Sequence, residues 1–115
     1  MTAATVYPLS VVRALALHTQ GLAAPVEFGT IPQGAKVLEV AELLGGLQID
    51  TLQRVQRSHY LTVWSRLGRF DPYDLDRLAY GEEGRRLFEY WFHGVSLIPL
   101  TEYRHRLPMM RWFRD

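Results

Sequence analysis

The spacing of apolar positions divides this chain into a series of helices followed by a hairpin. Val12, Leu15, Ala16 and Thr19 recur at helical intervals after Pro8-Leu9, so a first helix is expected, capped by Ser10 and ended by Gly21. From Leu22 to Thr30 the chain carries Gly, Pro and small residues without periodicity, which predicts a surface connection into Ile31-Pro32. A second helix is expected over 35–44, with Val37, Val40, Ala41 and Leu44 inward and Lys36, Glu39 and Glu42 outward. Gly45-Gly46 should stop it. A third helical run follows, with Leu52, Tyr60, Val63 and Leu67 on one side and Arg54, Arg57, Ser58 and Ser65 on the other, up to Gly68. Asp71-Pro72 begins a short fourth helix to Ala79, which buries Leu75 and Leu78 and sets Asp74 and Asp76 near the positive end of its dipole.

After the turn Tyr80 to Gly84 the composition changes. Arg85 to Pro99 is rich in aromatic and branched residues and is interrupted near His93-Gly94, the pattern of a β-hairpin. Thr101 opens a last helical pattern, Tyr103, Leu107, Met110 and Phe113, which Pro108 should kink or delay. Helices followed by a two-stranded hairpin in 115 residues match the winged-helix variant of the helix-turn-helix, mainly α with a small β-hairpin, as a single domain over 1–115. The rival arrangement is an irregular α+β domain whose hairpin serves packing alone.

With 48% hydrophobic residues the chain can bury one sizeable core. Its net charge is only +1, but Lys36 is the one lysine among thirteen basic residues. Guanidinium groups make forked contacts to phosphates and base edges, so the bias admits a nucleic-acid partner, although genome base composition produces the same bias. The absence of cysteine removes disulfides, thiolate metal sites and cysteine nucleophiles, and points to an intracellular protein. There is no signal-peptide pattern at the N-terminus and no apolar run of membrane-spanning length, so a cytoplasmic protein without membrane attachment is expected. Without cysteine or a His-x-x-x-His pairing, no metal site is expected.

Gln48-Ile49-Asp50 is the segment with most chemical content. In an extended strand its amide and carboxylate point the same way and Ile49 points to the core. The plain structural alternative is that Gln48 ends a strand while Asp50 caps a helix starting near Thr51. Arg54 and Arg57 suit phosphate contacts or, equally, a solvated helix face, whereas Arg66, nearer the apolar side, reads better as a structural residue of that helix, within reach of Asp71 or Asp74. Tyr60 and Trp64 read as core, His59 as a hydrogen-bonded core histidine, and Glu89 with Arg86 as a pair across the hairpin.

In LQIDTLQRVQRSHYLTVWSRLGRFDP and then LFEYWFHGVSLIP, the QID element, the R-x-H-Y-L-x-x-W-S-R-L-G run and the E-Y-W-x-H block occur together and in order. On these motifs the chain, from about Leu9 to Arg111, resembles the N-terminal part of the YcaQ-like or AlkZ-like crosslink-repair DNA glycosylases. The resemblance implies tandem winged-helix modules around a DNA channel, of which this chain would be the first. It also implies cleavage of the N-glycosidic bond of alkylated, cationic purines, including crosslinked ones. The family's Gln-x-Gln or Gln-x-Asp motif matches Gln48 and Asp50, which become the catalytic candidates. Arg54, Arg57, Ser58 and His93 are the DNA-binding candidates, His93 reaching a minor groove or lesion from the hairpin loop, where it could also be a plain turn residue. Double-stranded DNA, alkylated or crosslinked, is the expected partner, and the chemistry requires no metal or redox cofactor. The alternatives are a non-catalytic winged-helix module or transcription regulator, and a truncated relative acting through protein contacts of Trp91-Phe92 and Trp112-Phe113.

Overall fold

The computed structural model describes residues 5–24, 31 and 33–114. In chain order the elements are α1 (Leu9–Thr19), α2 (Gly34–Leu44), β1 (Leu47–Gln48), α3 (Ser58–Leu67), α4 (Pro72–Tyr80), β2 (Leu87–Trp91), β3 (Val95–Pro99) and α5 (Tyr103–Arg114), the last preceded by a 3-10 turn, Leu100–Glu102. The surface connection expected over 22–30 lies, from residue 25 on, outside the described residues, as does Pro32.

The core joins α2, α3, α4 and the sheet. Val37, Val40 and Ala41 of α2 meet Val63 of α3, Leu75, Leu78 and Ala79 of α4, Phe70 of the intervening turn, and Leu47, Leu87 and Leu97 of the three strands. The inward faces expected for α2 and α4 are therefore the buried ones. Asp71 caps α4 as anticipated, its Oδ1 accepting from Tyr73 N at 3.0 Å, with Pro72 in the first turn.

The hairpin is part of a larger sheet. β3 pairs antiparallel with β2 and, on its other edge, with β1, so the order is β1-β3-β2. Two strands of five residues are legible from composition, whereas β1 has only Leu47 and Gln48 and exists through its pairing with Leu97 and Ser96. A mainly helical chain with this small antiparallel sheet is compatible with a winged-helix fold.

Three expectations need correction. The third helix begins at Ser58, and Leu52 is 79% exposed rather than buried. The cause is local: Asp50 Oδ1 accepts from Leu52 N at 3.0 Å and Gln56 Oε1 from Arg57 N at 3.0 Å, side-chain bonds that satisfy the backbone outside a helix. Asp50 thus closes a turn and does not cap a helix near Thr51. The first helix starts at Leu9 after Pro8, so Ser10 lies inside it, and every one of its residues is exposed. Its apolar residues, Leu9, Val11, Val12, Leu15 and Leu17, spread around the helix instead of forming one stripe. Gly21 does end this segment: at φ 67° it lets Leu22 N reach Leu17 O, a closure that a Cβ would strain. Finally, Glu89 lies opposite Leu97 and accepts from the Tyr80 hydroxyl, so it does not pair with Arg86 across the hairpin.

Candidate functional site

The segment from β1 to Asp50, which carries Gln48 and Asp50, is held on both sides. Toward β3, Leu47 and Gln48 pair with Leu97 and Ser96, and Ile49 N donates to Val95 O at 2.7 Å. Toward α3, Ser58 Oγ donates to Gln48 O at 2.7 Å and accepts from Asp50 N at 2.9 Å. Burial alternates accordingly: Leu47 is buried and Ile49 packs against the core, while Gln48 and Asp50 are exposed.

Gln48 lies against the hairpin tip. A Cβ on Gly94 would sit 3.3 Å from Gln48 Nε2 and 3.5 Å from its Cδ, so the amide rests on the bare backbone of Gly94. His93, the preceding residue, is exposed, with its ring centroid 4.6 Å from that of Phe92. Arg106 of α5 lies over the Phe92 ring, its guanidinium carbon 4.7 Å from the ring centroid.

The remaining candidates divide. Ser58 joins Gln48 and Asp50 through hydrogen bonds. Arg54 and Arg57 are exposed on the segment between Asp50 and α3, and neither forms an ion pair among the described residues. Arg57 is also the residue that precedes α3, its carbonyl accepting from Tyr60 N and Leu61 N. Arg66 pairs with neither Asp71 nor Asp74: it donates to Gln20 O at 3.0 Å, Thr62 O at 3.1 Å and Ser65 Oγ at 2.7 Å, fastening the end of α1 to α3. Trp64, expected in the core, is 55% exposed, whereas Tyr60 packs against the core.

Sequence reasoning missed the polar network beside α4. Tyr60 gives its hydroxyl hydrogen bond to Asp76, and burial together with that bond pushes its pKa up to about 12. Burial and the bond to Glu89 likewise raise the pKa of Tyr80. Asp74 takes Arg77 at 3.3 Å. The residues that could have signalled this are the carboxylates of α4 themselves, spaced so that each meets a different partner. His59 is buried as expected, but its Nδ1 has no hydrogen-bond partner among the described residues. Among those residues no group of three or more His, Asp or Glu is arranged to hold a metal ion, and no helix is long and apolar enough to cross a membrane.

An exposed amide on β1 and an exposed carboxylate two residues on thus lie in sequence just before two arginines that form no ion pair among the described residues. The family model described as DNA glycosylase AlkZ-like matches residues 41–112, more than half of the chain, including β1, α3, α4 and the hairpin. The chain belongs to the AlkZ-like DNA glycosylase family, and it is a domain related to DNA-repair glycosylases, with DNA as substrate or partner. No solved structure matches it.

Proposed function

We propose that this chain is a single winged-helix module that engages duplex DNA in the cytoplasm and contributes the catalytic pair of a glycosylase acting on N-alkylated and crosslinked purines. The observation that carries the reading is the presentation of Gln48 and Asp50, exposed, on a segment beginning at β1 that is fixed by β3 on one side and Ser58 on the other. The module would be the first of several in a complete family member.

An N7-alkylated purine is already cationic, so it departs with the electron pair of the C1′–N9 bond and needs little acid assistance. The sugar develops positive charge, and water must add to C1′ and lose a proton. Asp50 stabilises the sugar cation and accepts that proton, and Gln48 holds the water by hydrogen bonds. One Asp50 oxygen, Oδ1, is engaged by Leu52 N, which orients the carboxylate. The base is released neutral and the sugar is left with a hydroxyl, so the step requires water alone. Arg54 and Arg57 supply phosphate contacts, and His93 approaches the duplex from the hairpin tip. A cationic role fits the 51–57 segment better than α4 and its cap, where Asp71, Asp74 and Asp76 are carboxylates already engaged with Tyr73 N, Arg77 and Tyr60.

The test is release of N7-methylguanine from alkylated duplex DNA by the full-length gene product and by its Asp50→Asn variant. A general base is worth about 10²–10⁴-fold, so excision should fall by at least about a hundredfold with DNA affinity unchanged. Full activity in Asp50→Asn would remove the catalytic assignment. It would leave the second reading, a non-catalytic DNA-binding module, which the Asp50–Leu52 turn favours because it gives the carboxylate a structural use.

A further inference from the structure

We infer that Ser58 is a positioning residue for Gln48 and Asp50, its hydroxyl setting the relation between the two side chains from the strand edge that β3 does not cover. The inference rests on the catalytic reading of that pair. The pairing of Leu47 with Leu97 and Gln48 with Ser96, and the bond from Ile49 N to Val95 O, put the polar groups of Leu47 and Ile49 toward β3. Gln48 C=O and Asp50 N–H therefore point the opposite way, where a neighbouring strand would be needed to satisfy them. Ser58 Oγ takes that place with one atom, donating to Gln48 O at 2.7 Å and accepting from Asp50 N at 2.9 Å.

A bridge of this kind spans Ile49 from both sides. Any backbone rotation that turns Gln48 relative to Asp50 lengthens one of the two bonds. Ser58 is itself held in the first turn of α3, where its carbonyl accepts from Thr62 Oγ1 at 2.9 Å. The hydroxyl is thus fixed by a helix, and the helix by the core through Val63.

Gly94 completes the arrangement from the hairpin. Its φ is outside the left-handed region, so its backbone does not call for glycine, yet a Cβ there would press on the Gln48 amide at 3.3 Å. The missing side chain leaves room for Gln48, which makes Gly94 an independent handle on the same geometry. A water held between amide and carboxylate must meet both at hydrogen-bond distance, and misplacement by about 1 Å costs about a hundredfold in rate.

The experiment compares Ser58→Ala, Ser58→Thr and Gly94→Ala. Excision of N7-methylguanine at saturating DNA is measured on the full-length gene product, and hydrogen exchange of the Asp50 amide on the 115-residue chain. Ser58→Ala should slow excision about 10- to 100-fold, leave DNA affinity unchanged and release the Asp50 amide to exchange. Ser58→Thr, which keeps the hydroxyl, should restore both rate and protection. Gly94→Ala should slow excision without shifting the melting temperature. Full activity in Ser58→Ala, or a threonine variant as slow as the alanine one, would overturn the inference. Should Ser58→Ala fail to fold, an Asp50 amide exchanging at the open-chain rate in the unaltered protein would overturn it, as would full activity in Gly94→Ala. Asp50→Asn run alongside distinguishes the failures: a slow Asp50→Asn with a fast Ser58→Ala defeats the positioning role alone, whereas a fast Asp50→Asn defeats the catalytic reading beneath it.

Discussion

His59 is 3% exposed, with its ring centroid 4.2 Å from that of Tyr60. Burial, then the charge of Arg57, lowers its pKa from the ordinary value near 6.5, against smaller opposing effects of Asp76 and Glu89. The neutral imidazole is thus the form the fold accepts. An unfolded chain takes up the proton more readily, so the stability that depends on neutral His59 is complete above about pH 6.5 and is lost as the pH falls below it. The thermal midpoint should decline between pH 7 and pH 5, and His59→Phe should flatten that decline. An equal slope in the variant would show that other groups carry the acid sensitivity. The Nδ1 atom, without a hydrogen-bond partner among the described residues, adds to the cost of this position, because a buried donor or acceptor left unbonded is destabilising.

At the scale of the element, two segments compete for the role of DNA contact. The 51–57 segment exposes Arg54 and Arg57 without ion pairs among the described residues, while α4 presents carboxylates and an Arg77 already paired with Asp74. Arg54→Ala and Arg57→Ala should each lower the salt slope of DNA binding by about one, and Arg77→Ala should leave it unchanged, as read from affinities over a range of salt concentrations. The same comparison shows what the amino-acid pattern conveys. α2, α4 and the β2–β3 hairpin are legible because their apolar positions and end signals agree with the faces they bury. The start of α3 is not, because Leu52 and Val55 keep helical spacing in a segment whose backbone is taken up by the side chains of Asp50 and Gln56. β1 is legible only in part: the extended reading at Gln48 holds, but a strand of two residues has no periodicity, and its partner is remote in sequence. For the candidate site, the pair Gln48 and Asp50 could be named from the motif, but the bridging by Ser58 and the seat on Gly94 depend on contacts that no local pattern encodes.

The whole molecule is more extended than its length requires. Its radius of gyration is 17.1 Å, against about 13 Å for a compact chain of this size. The compact part is the α2–α4 unit with its sheet, and neither α1 nor α5 contributes a buried residue. Stability should accordingly reside in that unit: Leu47→Ala, at a fully buried position, should cost about 2–5 kcal/mol, and Leu52→Ala, on the exposed segment, no more than about 0.5 kcal/mol, both measured by denaturant unfolding. The pairing of Leu47 with Leu97 also has a kinetic meaning. α2, α3 and α4 are neighbours in sequence and can collapse through local contacts, but β1 must find a strand nearly half the chain away, and closures of that span come late in folding. Leu47→Ala should then act mainly by speeding unfolding, with little change in the refolding limb. The amide and carboxylate come into register only at this closing event, so a nascent or partly unfolded chain would carry the arginines proposed to contact DNA without the geometry proposed for releasing a base.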